Sequence, residues 1–269
     1  MRKLSAIMLG WNALTALSSV IGSWALYNLQ SIPDWNYSVV TFWLGITNVV
    51  TGILTAFLVM AYREGWRSAV LLLVLCTFIA GGMELLGTAT GVPFGAYSYT
   101  DLMGPKFLGH VPYLIPPSWM MMLYPSMVLT EALRVNRWLR PVVAGFILTI
   151  WDFAMDPAMT AGFPYWQWHT EGGFYGMPYV NWLGWWLTGT IVAGCYWMLD
   201  RGWKGHWDNI AIALYLVQGA FMALLAWIYM RPLATLLWAV SVSVLLLLVW
   251  RRQRSVSTAE VRQWQPSSL

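Results

Sequence analysis

Apolar residues run together along this chain in eight stretches: about 4–28, 38–62, 68–88, 117–133, 141–158, 180–199, 209–230 and 232–250. A membrane-spanning helix needs roughly 20 predominantly apolar residues. The pattern therefore predicts an all-α, polytopic transmembrane bundle forming one integral membrane domain over residues 1–269. The fourth stretch is short and contains Pro125, which predicts a kink or a partial crossing. Pro117 and Pro141 stand where their helices would begin, a position that suits proline. Arg2 and Lys3 ahead of an apolar run give the N-terminus the outline of a signal peptide. No convincing small-residue cleavage site follows, so this run reads as a retained first helix. No internal repeat or low-complexity region is visible.

The charged residues between the runs orient the bundle. With the N-terminus inside, the inner segments hold Arg2, Lys3, Arg63, Arg67, Arg134, Arg137, Arg140, Arg201, Lys204, Arg251, Arg252, Arg254 and Arg262. The outer segments hold only Lys106 and Arg231. This positive-inside bias predicts an even number of spans with both termini cytoplasmic. The basic tail, 251–269, then reads as a contact with anionic membrane lipid. The composition agrees: 59% of residues are hydrophobic and 10% charged, against about 25% charged in a soluble domain. The sequence pI near 9.1 is explained by the loop clusters, and no extended basic patch points to nucleic acid. Cys76 and Cys195 lie inside apolar runs with no metal-ligand spacing and read as buried thiols.

Three carboxyls stand out against this background. Glu84 lies near the outer end of the third run, and Asp152 and Asp156 lie near the outer end of the fifth. The two long outer connections, 89–116 and 159–179, leave from those same ends. Acids within a membrane are costly and usually functional. Residues four apart on a helix share a face, about 6 Å apart along the axis. Two carboxyls so placed resist ionising together, so one is expected to hold a proton and serve as a Brønsted acid. Glu84 is the candidate proton relay or water-orienting base. The plainer reading is that Asp156, just before Pro157, caps a helix end.

The outer connections alternate Gly and Pro with aromatics, which predicts a rigid, turn-rich lid. With 20 Trp and 13 Tyr in the chain, belts at the membrane interfaces do not account for every ring. The rings near the acids either pack as core or present their faces to a cation. Asn181 begins the sixth run, as a cap or as a partner for a carboxyl. His110, His169 and Glu171 lie in the outer connections without metal-site spacing, and no metal is expected. The Asp-x3-Asp spacing has no accompanying Lys or Arg, which disfavours a diphosphate substrate and favours an uncharged, apolar one.

Five motifs together resemble a membrane family of carotenoid biosynthesis proteins. They are E-x6-G-x-P-F-G-x-Y-x-Y (Glu84–Tyr99), G-x-V-P-x-x-I-P-P-S-W (Gly109–Trp119), D-F-A-M-D-P-A-M (Asp152–Met159), W-x-W (Trp166–Trp168) and G-F-Y-G-M-P-x-x-N-W-x-G-W (Gly173–Trp185). The resemblance covers about residues 80–200, while the ends match only in hydropathy. Members include carotenoid 1′,2′-hydratases of the CruF type and bisanhydrobacterioruberin hydratases. The resemblance implies addition of water to the terminal C=C of an acyclic carotenoid, with no cofactor, in a prokaryotic plasma membrane. It implies a polyene or terpenoid substrate, water as co-substrate, and neighbouring carotenoid-pathway enzymes as partners.

On this reading Asp152, Asp156 and Glu84 carry the chemistry. Phe94, Tyr97, Tyr99, Trp119, Tyr124, Trp151, Trp166, Trp168, Tyr175, Asn181 and Trp185 are the candidate substrate contacts. Two alternatives stand beside it. A cyclase or isomerase would use the same acid, and a transporter or lipid-binding protein would use the acids to carry protons or cations. The orientation is testable by itself. Reporters fused after Arg254 and within 134–140 should read cytoplasmic and one within 101–110 external; a cytoplasmic reading at 101–110 would invert the assignment.

Overall fold

The computed structural model describes residues 1–29, 34–200 and 202–263, with side chains described within 1–29, 39–200 and 202–254. Arg201, the Arg262 side chain and the end of the basic tail, all used above in the charge argument, lie outside the described residues.

Each apolar run is a helix, because in hydrocarbon only intrahelical bonds satisfy the backbone. The helices are α1 (Arg2–Leu29), α2 (Asp34–Arg63), α3 (Trp66–Leu75), α4 (Gly81–Thr90), α5 (Ile115–Ala132), α6 (Arg140–Gly162), α7 (Val180–Leu199), α8 (Asn209–Ile228) and α9 (Pro232–Gln263). A π-helical turn, Cys76–Ala80, joins α3 to α4 into one rod. The wider turn rotates the residues beyond it, Glu84 among them, by about 100° relative to α3.

Six of these rods are long and apolar enough to cross a membrane: 2–29, 39–63, 66–90, 140–162, 209–228 and 232–254. The other two expected crossings, α5 and α7, do not reach that apolarity. For α5 the reason is its place, since every residue from Trp119 to Thr130 is buried in protein. It meets side chains instead of lipid, so it tolerates Ser126, Thr130 and Pro125. Helix α5 continues through Pro125 without ending there. The outer helices show the opposite. On α1, Ile7, Trp11, Leu14, Leu17, Ile21 and Trp24 recur every three or four residues and are all exposed. On α9, Leu233, Leu236, Val240, Val244 and Leu247 do the same. Apolar stripes of this length fit lipid contact.

Two polar devices hold the bundle. At mid-height Asn12 on α1 donates to the Asn48 carbonyl on α2 at 2.8 Å, and Asn48 returns the bond to the Asn12 carbonyl at 3.1 Å. Gln218 on α8 donates to both asparagine side chains, at 2.8 and 3.1 Å. At one end of the bundle Arg63 pairs with Asp208 at 2.6 Å, Arg140 pairs with Glu131 at 2.7 Å, and the Lys204 N–H reaches Glu64 at 2.9 Å.

At the opposite end the two long connections, 89–116 and 159–179, pair as short strands. β1 (Tyr97–Tyr99) runs antiparallel to β4 (Trp166–Trp168), with Tyr97 opposite Trp168 and Tyr99 opposite Trp166. Between them a smaller pair forms from β2 (Lys106–Phe107) and β3 (Val111–Pro112).

Helices α6 and α7 approach one another backbone to backbone. A Cβ on Gly145 would stand 2.6 Å from the Trp186 carbonyl oxygen and 2.8 Å from the Thr190 nitrogen, both backbone atoms. A Cβ on Gly189 would stand 3.1 Å from the Gly145 Cα. Small residues let membrane helices approach this closely. Gly145→Val should cost about 1–3 kcal/mol, read as a lowered unfolding midpoint in detergent. Gly10→Val, where nothing lies within 4 Å, should leave the midpoint in place.

Candidate active site

Asp156 lies within α6, which runs on through Pro157 to Gly162. The helix does not end at the aspartate, so the capping reading fails and Asp156 stands as an interior carboxyl, 2% exposed. Asp152, one turn earlier, is completely buried. The two carboxyls are within hydrogen-bonding reach of each other. Asn181, at the start of α7, donates its amide to Asp152 Oδ2 at 3.0 Å and also to Asp156 Oδ2. The Trp166 indole lies within reach of Asp156. Asp152 Oδ1 has no hydrogen-bond partner.

Glu84, on α4, is 4% exposed and accepts three bonds. Tyr97 and Tyr99 both donate to Oε2, the latter at 2.9 Å, and the Trp119 indole donates to Oε1 at 3.2 Å. The strand period explains how two loop residues reach one carboxyl, because alternate residues of β1 point to the same side. Ser98, between them, faces outward and meets His169 at 2.9 Å. Burial first, and then the neighbouring Glu84, push both phenols well above the usual tyrosine range, so they remain O–H donors. Gly87, one turn beyond Glu84, leaves room for this docking: a Cβ there would lie 2.7 Å from Phe94 and 3.2 Å from Tyr97.

Glu84, Asp156 and Asn181 all line one cavity, with Asp152 immediately behind. Its empty space, mouth included, is about 1200 Å³. Phe94, Tyr97, Tyr99, Trp119, Trp151, Trp166, Trp168 and Trp185 line it as well. Trp119 and Trp185 stack at 4.2 Å between ring centres, and Trp151 meets the edge of Trp185 at 5.8 Å. Among the described residues no Lys or Arg lines the cavity.

Two expected substrate contacts lie elsewhere. Tyr124 sits five residues beyond Trp119 on α5, which turns it to another face and carries it about 7 Å inward; there it packs on Trp203. Tyr175 is turned outward by the Gly172–Met177 turn, where its hydroxyl accepts from the Leu233 N–H at 3.1 Å. It lines an outer groove with His169, Glu171 and Arg231. His110 is exposed. Among the described residues no group of three or more His, Cys, Asp or Glu is placed to hold a metal.

Sequence reasoning missed the other wall. Met121, Met122, Met155, Met159, Met222 and Phe221 line it, with Asn48 and Gln218 at the mid-height end. Two lone amides inside apolar runs were the available signal.

The sequence profile of a family described as "Carotenoid biosynthesis protein" matches residues 44–250. The chain belongs to this family. The match takes in α4 to α7 and both outer connections, so every cavity residue named above lies within the family region. Over 131 residues the chain is 34% identical to a protein named bisanhydrobacterioruberin hydratase from Haloarcula japonica. That alignment covers 47% of this chain and 44% of the relative. No solved structure matches the chain.

The shared amide makes one position diagnostic. Asn181→Leu removes a donor from two buried carboxyls at once, so it should destabilise the protein by about 1–3 kcal/mol, measured by thermal unfolding in detergent. Asn181→Asp adds a third acid to the same place and should cost more.

Proposed function

We propose that this chain is a carotenoid hydratase, adding water to the terminal C=C of an acyclic polyene in an eight-span bundle with both termini cytoplasmic. The observation that carries the reading is the pairing, in one apolar cavity, of an aspartate pair with a separately held glutamate. The family and the hydratase relative support it. A largely apolar cavity wall without Lys or Arg among the described residues suits a hydrocarbon and offers no cation to a phosphate group.

The chemistry follows from the hydrogen bonds. Ionised carboxylates only accept, so two carboxyls in mutual contact share a proton. Asp156 faces the cavity and Asp152 does not, which makes Asp156 the group that meets the alkene. Its proton goes to the less substituted alkene carbon, leaving a tertiary cation on the neighbouring carbon. The aromatic faces of Trp119, Trp151 and Trp185 and the aspartate pair's remaining negative charge stabilise that cation. A water oxygen then bonds to the cation and releases a proton to Glu84. Return of that proton to the aspartate pair completes the cycle, and the net change is one water added. Tyr97, Tyr99 and Trp119 position Glu84 and act through it.

The test is product analysis after expression with an acyclic polyene. The wild type should add the mass of one water, while an unchanged mass with a new product would assign a cyclase instead. In heavy water the product should carry one deuterium on the carbon beside the new alcohol. Asp152→Asn and Asp156→Asn should each lower turnover by about a hundredfold or more while the protein still inserts and folds. Glu84→Gln should fail at water capture and release cyclised or isomerised products. Near-normal turnover in both Asn variants would make the aspartates structural.

A further inference from the structure

The amide cluster at mid-height leaves one atom unanswered. Asn12 Nδ2 donates to a backbone carbonyl, Asn48 O, and Asn48 Nδ2 donates to Asn12 O. A carbonyl only accepts, so neither asparagine can be flipped. Both side-chain oxygens are thereby fixed facing Gln218, which must present its NH2 to them, at 2.8 and 3.1 Å. Gln218 Oε1 is then an acceptor by necessity. It has no hydrogen-bond partner, in a residue that is completely buried and lines the cavity.

We infer that Gln218 Oε1 is a second polar subsite of the cavity, an acceptor for an O–H group. An orphaned buried acceptor is costly, and among the described residues no donor relieves it. Trp151 links the subsite to the acids: its indole donates to the Gln218 backbone carbonyl at 3.3 Å, and Asp152 is the next residue on α6. Methionines and aromatics line the cavity that Asp156 and Gln218 share, so a chain with its reacting alkene at Asp156 has this acceptor within the same cavity. The O–H belongs either to an alcohol carried by the substrate or to a water held in the cavity. This inference rests on the polyene-binding reading above.

The experiment uses the full chain in lipid nanodiscs and a matched pair of acyclic polyenes, one a hydrocarbon and one carrying a single tertiary hydroxyl. Binding by tryptophan quenching and kcat/KM are measured for wild type and for Gln218→Met, which removes the acceptor and stays unbranched. If the alcohol is the ligand, wild type should favour the hydroxylated polyene by about tenfold, and in the variant the ratio of kcat/KM for the two polyenes should fall to about one. If water is the ligand, both substrates should lose kcat alike with KM kept. Unchanged values for both substrates in the variant overturn the subsite. Wild type that binds both polyenes and hydrates neither overturns the hydratase reading instead, and the subsite is then judged on affinity alone. Should Gln218→Met fail to fold, an experimental structure of the wild type with the hydroxylated polyene decides. An oxygen within about 3.2 Å of Oε1 supports the subsite, and its absence overturns it.

Discussion

A carboxyl group in a membrane interior has no water to solvate it, and every donor it finds must come from the protein. Glu84 meets that demand with two phenols from β1 and one indole from α5. The aspartate pair meets it with the Asn181 amide from α7, and the Trp166 indole from β4 stands within reach of Asp156. Satisfying three acids therefore requires α4, α5, α6, α7 and both outer connections to be in place together. Site and fold are stabilised by the same bonds. The glycines at 87 and 145 serve this arrangement by letting a loop and a helix come close enough to bond.

The two acid clusters are held differently, and the difference has chemical content. Glu84 takes its three hydrogen bonds as an acceptor, from two phenols and an indole. Asp152 and Asp156 share one amide, lean on each other, and leave Asp152 Oδ1 bare. That is an environment for a retained proton. Pairs of titratable groups with opposed surroundings are the usual mark of an acid and a base in one site.

The helices and the site's three acids were legible in the sequence because each is a local signal. Membrane-length apolar runs admit one backbone solution, and a carboxyl within such a run stands out at once. The spacing Tyr97-x-Tyr99 and Trp166-x-Trp168 carried the strand period too, although pairing across 69 residues is a tertiary fact no spacing shows. Tyr124 and Tyr175 were misplaced for the same reason: aromatic character and proximity in sequence do not say which face of α5 or which side of a turn a ring takes. The methionine wall and the Asn12–Asn48–Gln218 cluster stayed hidden because apolar residues in an apolar run carry no contrast. A lone amide, likewise, does not name its partner.

The lid has a consequence for access. Opening β1 and β4 toward water would withdraw Tyr97 and Tyr99 from Glu84 and Trp166 from Asp156, stranding buried carboxyls without donors. Each such loss costs about 1–3 kcal/mol or more for a charged group, and several would occur together. A water-soluble ligand arriving from outside would have to offset that sum. A polyene already dissolved in the bilayer need not disturb the lid, since the cavity wall toward α1 and α2 includes Ser19, Thr41, Phe42, Gly45, Ile46, Asn48 and Val49, none of which bonds to the acids. The hydrogen bonds that keep the acids in place thus also favour an apolar substrate over a polar one, before any contact with the substrate is made.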